Sequence, residues 1–92
     1  MARLDKKLAR YVSERVGAAE NGQAEALYDL GLLYATGHGV ERDYVEAHKW
    51  FNLAAMKGLN RAKVDREELA REMRGREVDE ALKQARRWQS RH

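Results

Sequence analysis

Ninety-two residues without proline or cysteine make one modest domain and exclude both a disulfide framework and a thiolate metal site. Apolar residues are 43% of the chain and charged residues 36%, the latter above the roughly 25% of an average globular protein. Ala, Leu, Glu, Lys and Arg dominate, so the composition predicts an all-α chain.

The net charge of +3 is unevenly spread: residues 1–20 and 61–92 are basic and residues 21–60 acidic. The first residues hold no apolar run and no small-residue cleavage site. No signal peptide, transmembrane segment or membrane partner is therefore predicted, and a cytoplasmic location is expected.

The first predicted helix spans about residues 2–18, with Leu4, Leu8, Val12 and Val16 on one stripe and Tyr11 beside it. Asn21-Gly22 ends it, and Asn21 is a candidate cap for the next helix. That second helix, about residues 24–35, places Leu27, Leu30, Gly31 and Tyr34 at i, i+3, i+4, i+7. Tyr28, Leu32 and Leu33 widen the apolar surface, which predicts packing on more than one side.

Gly37 and Gly39 then flank His38. A G-x-G that follows a helix rather than a strand lacks the context for phosphate binding, so both glycines read as turn residues. The third helix starts at Asp43, with Glu46 three residues on as in a capping box. Tyr44, Ala47, Trp50, Phe51, Ala54 and Ala55 supply its buried face, and Gly58 ends it.

The fourth helix, about residues 60–73, is the most polar, with Ala62, Leu69 and Met73 inward and Val64 to one side. An ion pair between Glu67 and Arg71 is expected on its outer face. The fifth helix, about residues 77–89, has a clean stripe of Val78, Ala81, Leu82, Ala85 and Trp88 that suits a lid over an exposed core.

Leu30-Gly31-x-x-Tyr34, Gly37-x-Gly39-Val40, Asp43, Ala47, Trp50, Ala54-Ala55 and Gly58 occur in an order and spacing that resemble the Sel-one-like repeat. This repeat is a relative of the tetratricopeptide repeat, and the resemblance covers residues 22–58. It implies an α/α superhelix: a tetratricopeptide-like stack of helical hairpins with N- and C-terminal flanking helices. In this reading residues 1–92 form a single domain: a flanking helix at 1–20, the repeat at 22–58, and a divergent half-repeat with a capping helix at 59–92. The structural motif positions are Ala26, Leu30, Gly31, Tyr34, Gly37, Gly39, Val40, Asp43, Ala47, Trp50, Ala54, Ala55 and Gly58.

A second copy opens at Gly58-Leu59-Asn60-Arg61-Ala62 but has Arg66-Glu67 where Leu-Gly belongs, a pair that prefers water. The segment from Leu69 to Trp88 is similar to the C-terminal part of short bacterial members of the family. Those have Thr/Ser-Pro before the last helix; Arg74-Gly75 stands there instead and supplies no side-chain acceptor for a cap.

No catalytic residue, cofactor site or metal site is predicted. His38, His48 and His92 show no ligand spacing and read as surface residues, and no nucleophile motif occurs among the Ser and Thr residues. The resemblance implies an adaptor or scaffold that binds a protein or peptide partner without catalysis. In this repeat class the first helix of each hairpin lines the concave side, which makes Tyr28, Asp29, Leu32 and Ala35 the candidate partner-binding residues. For Tyr28 and Leu32 the competing reading is packing beneath a flanking helix.

Two other classes stay open. Lys83, Arg86, Arg87 and Arg91, with no acid after Glu80, permit nucleic-acid binding, although the small net charge and interleaved acids disfavour it. A homodimer would follow if Trp88 or the stripe of Leu4, Leu8 and Val12 were left exposed.

Overall fold

The computed structural model describes residues 2–92, with side chains from Lys6 onward. Five helices follow in order: α1 (Ala2–Glu20), α2 (Ala24–Thr36), α3 (Tyr44–Met56), α4 (Asn60–Ala70) and α5 (Gly75–Arg91). No strand occurs among the described residues. The architecture is an all-α stack in which α1 packs on α2, α2 on α3, and α3 on both α4 and α5. α3 is therefore enclosed by three helices, which explains why seven of its residues are buried.

The core forms where these faces meet. Leu27 and Leu30 of α2 are fully buried, and Leu53 and Ala54 of α3, Ala62 of α4 and Ala85 of α5 pack in the same cluster with Ala19 of α1. Leu8, Val12 and Val16 are half-buried, as is Trp88, whose ring meets Trp50 edge-on at 5.9 Å. Leu4 lies outside the described side chains. Small residues set the helix spacing: Ala26, Ala47, Ala54 and Ala62 are fully buried. At Gly31 the approach is closest, since a Cβ there would stand 2.3 Å from Cδ1 of Phe51.

The α2–α3 turn carries two left-handed glycines, Gly37 at φ 76° and Gly39 at φ 75°. The Gly37 N–H donates to the Leu33 carbonyl at 2.8 Å, and the Asp43 N–H donates to the Tyr34 carbonyl at 2.9 Å, which closes the turn. Gly39 also rests on α1: a Cβ there would lie 3.1 Å from Cγ2 of Val12 and 3.3 Å from Cβ of Leu8. The turn is thus fixed to the flanking helix as well as to its own hairpin.

Several local expectations are corrected. The residue that precedes α2 is Gln23, without a side-chain cap, and Asn21 lies in the turn before it. Asp43 caps α3 by accepting the Glu46 N–H at 3.1 Å, but Glu46 does not complete a capping box. Its carboxylate accepts instead from Lys49 Nζ at 2.9 Å and from Trp50 Nε1 at 3.0 Å, the stronger use of a half-buried acceptor.

α4 stops at Ala70 with Arg71 as its C-cap, and the expected Glu67–Arg71 pair does not form; Glu67 lies 3.9 Å from Arg66 instead. α5 starts at Gly75, two residues earlier than its stripe suggested. Glu77 makes this possible by accepting the Arg74 N–H at 2.7 Å. A guanidinium has no acceptor, so only this half of a capping box is chemically available.

Candidate partner-binding surface

Glu25, Tyr28, Asp29, Leu32 and Thr36 recur at three- and four-residue spacing and share one face of α2. Two neighbours hold this face. On one side the Asp29 carboxylate accepts from Arg15 of α1 at 3.4 Å. On the other the Tyr28 hydroxyl donates to Asp65 of α4 at 2.6 Å, while Arg61 of α4 pairs with Glu25 and places its guanidinium 4.9 Å from the Tyr28 ring centre. The hydrogen bond to Asp65, then burial, pushes the Tyr28 phenol up to about 12. Tyr28 stays protonated and acts as a fixed donor in this arrangement.

The four sequence-predicted residues thus have different surroundings. Tyr28 is half-buried and tied to Asp65 and to the Phe51 ring, 5.6 Å away. Asp29 is tied to α1, and Ala35 is half-buried. Leu32 is 38% exposed, with no helix over it. On α4, Arg61, Val64, Asp65 and Glu68 form the facing stripe, and Val64 is 45% exposed. Sequence reading missed Arg61, Val64 and Asp65 as members of this surface. Their three- and four-residue spacing was visible, but the pairing of Asp65 with a tyrosine 37 residues away was not.

A second polar cluster lies between α3 and α4. Arg66, expected in water, turns inward and donates to the Asn52 amide oxygen at 2.6 Å; Asn52 is itself buried. His48, one turn before Asn52, is only 3% exposed rather than a surface residue. Its Nδ1 is buried without a hydrogen-bond partner, and burial together with the nearby Arg66 charge lowers its proton affinity. A neutral imidazole is the form that this position accepts.

No group of three or more metal-ligating side chains gathers among the described residues. No described helix is long and apolar enough to cross a membrane. Lys83, Arg86, Arg87 and Arg91 are exposed on α5 and make no ion pair among the described residues.

A pair of helices joined by a glycine turn, flanked by further helices that complete its packing, defines an all-α helical-repeat protein of the tetratricopeptide-like class. The family model of the Sel1 repeat matches residues 24–59, from the start of α2 to the residue before α4, and the helical structure fits a protein with a Sel1-like repeat. No curated protein and no solved structure matches the chain. Sel1 repeats generally mediate protein–protein interaction and are not catalytic motifs.

Proposed function

We propose that this chain is an adaptor that holds a protein or peptide partner on the α2–α4 face, with no chemistry of its own. The observation that carries the reading is the exposed Leu32 beside an ordered polar array. Tyr28–Asp65 and Glu25–Arg61 fix the positions of donors and acceptors before any partner arrives, and Leu32 and Val64 offer apolar area on the same two helices. Preorganised polar groups around a small apolar patch reduce the ordering cost of association. Asp29 takes part as the anchor of the face to α1, and Ala35 is half-buried near the end of the same helix.

The test is affinity capture from a lysate of the source organism, with parent protein and a Leu32→Asp variant. A defined protein bound by the parent at low and high salt, and lost by the variant while helical content is unchanged, supports the reading. Equal capture by both proteins removes the α2–α4 face from it.

The cations of α5, which make no ion pair among the described residues, favour a second reading, attachment to nucleic acid. Phosphate contacts lose affinity steeply with salt, by about 10-fold or more between roughly 50 and 200 mM. Nucleic acid recovered only at low salt, with no protein partner, would favour that second reading.

A further inference from the structure

α4 supplies half of the proposed partner face, through Arg61, Val64 and Asp65, yet little holds it in place. Ala62 is its one fully buried residue, and no side chain caps its start at Leu59. Its main packing partner is α3. Tyr28–Asp65 and Glu25–Arg61 tie it to α2 along one edge. The tie to α3 is polar: the half-buried Arg66 guanidinium donates to the Asn52 amide oxygen at 2.6 Å. α5 packs on α3 by itself, so α4 can leave α3 without carrying α5 away.

His48 stands at this contact, one helical turn before Asn52. It is buried, and its Nδ1 has no hydrogen-bond partner. In the neutral ring that nitrogen is an unused acceptor. A proton there makes it a donor without an acceptor, and adds a buried positive charge close to the permanent charge of Arg66. Among the described residues Arg66 of α4 is the charged group that acts on the ring, and α2 and α5 bring none to it. On its own helix Lys49 is turned to Glu46 and to the Trp50 ring. The polar neighbours one turn away are Tyr44 and Asn52, and neither carries a negative charge to offset a second cation.

We infer that His48 is a pH-sensitive lock between α3 and α4: while it is neutral α4 stays seated and the α2–α4 face is complete, and in acid it is protonated in an open form in which α4 has left α3 and the face is lost. The consequence, release of a partner in acid, rests on the protein-binding reading above. The motion itself rests only on the α3–α4 contact.

The sign follows from the two environments of the ring. Seated, His48 resists protonation, by burial first and by Arg66 second. Released into water it regains the ordinary value of 6.5. As pH falls through 6.5 the open form binds a proton that the seated form refuses, so opening grows until the lower seated value is passed. One such group multiplies the open population by at most about tenfold between roughly pH 7.5 and 5.5.

The experiment is amide hydrogen exchange of the full chain, followed by nuclear magnetic resonance from about pH 5.5 to 7.5 and expressed as protection factors, which remove the pH dependence of exchange itself. Amides within α4 should be less protected than those of Leu30 in α2 and Leu53 in α3 at every pH. Their protection should fall with pH by as much as about tenfold across the range. This comparison is made within one sample of the parent protein. His48→Leu should hold α4 protection level across the range. His48→Gln, polar but without a charge, should do the same and serves if the leucine variant folds poorly.

α4 protection that does not change with pH would overturn the inference. So would α4 protection equal to that of Leu30 and Leu53 throughout, which would assign the His48 proton to global unfolding. A fall that persists undiminished in both variants would overturn it as well. Every readout is made without a partner, so these results leave capture through Leu32 unaffected, and the two readings fail separately.

Discussion

Gly31 of α2 and Phe51 of α3 occupy one space: the Phe51 ring lies where a Gly31 side chain would begin, with Cδ1 and Cε1 2.3 and 2.4 Å from an ideal Cβ. The contact lets the two helices of the hairpin approach closely and lets the Phe51 ring reach Tyr28. Alanine is about 1 kcal/mol better than glycine inside a helix, yet overpacking costs about 1–3 kcal/mol or more. A ring in the core cannot swing aside as an exposed lysine can. Gly31→Ala should therefore destabilise the protein in chemical denaturation, and Gly31→Leu should do so more strongly. Combining Gly31→Ala with Phe51→Leu should recover part of the loss. If Gly31→Ala unfolds at the same denaturant concentration as the parent, the contact does not set the helix spacing.

His48 gives stability a pH dependence. Its folded-state proton affinity is lowered, by burial first and by Arg66 second, from the ordinary value of 6.5. Above that value the imidazole is neutral in both states and contributes no dependence. As pH falls through 6.5 the unfolded chain takes up a proton that the folded chain refuses, so stability declines until the lower folded value is passed. His48→Leu should flatten the profile in this window and, by removing an unpaired buried nitrogen, cost little at about pH 8. Denaturation midpoints measured across this range test both statements. A parent profile as flat as that of the variant would contradict them.

The Tyr28–Asp65 bond makes a spectroscopic prediction. Tyr28 should resist ionisation until about pH 12 in an ultraviolet titration, later than an ordinary phenol at 10.0. Asp65→Asn removes both the charged acceptor and its repulsion of the phenolate, so the late tyrosine should ionise earlier. Tyr28→Phe should remove it from the titration and cost about 1 kcal/mol, the usual worth of one hydrogen bond. Four tyrosines that all titrate together near 10 would show that the bond does not persist in solution.

Asp43 caps the start of α3 with its side chain, which accepts the Glu46 N–H. Asp43→Ala should lower stability by about 0.5–2 kcal/mol, and Asp43→Asn or Asp43→Ser should restore most of it. Thermal melts of the three variants measure this. Equal melting of Asp43→Ala and the parent would mean that water satisfies the N–H equally well.

The hairpin was legible in the sequence because its determinants are local. Left-handed glycines at Gly37 and Gly39, the Asp43 cap and the helical spacing of Leu27, Leu30, Trp50 and Ala54 each act within a few residues. They therefore fixed the α2–turn–α3 unit and its Sel1 character, and five helices in order.

Only the tertiary structure decided where polar side chains go. Arg66, His48 and Tyr28 sit at positions whose sequence context suits water or core alike. What settles them is a partner on another helix: Asn52 for Arg66, Asp65 for Tyr28, and the α3–α4 contact that covers His48 without supplying a bond to Nδ1. Spacing along the chain reports which side of a helix is apolar. It does not report which helix lies opposite, and that choice determines the polar surroundings of Arg66, Tyr28 and His48.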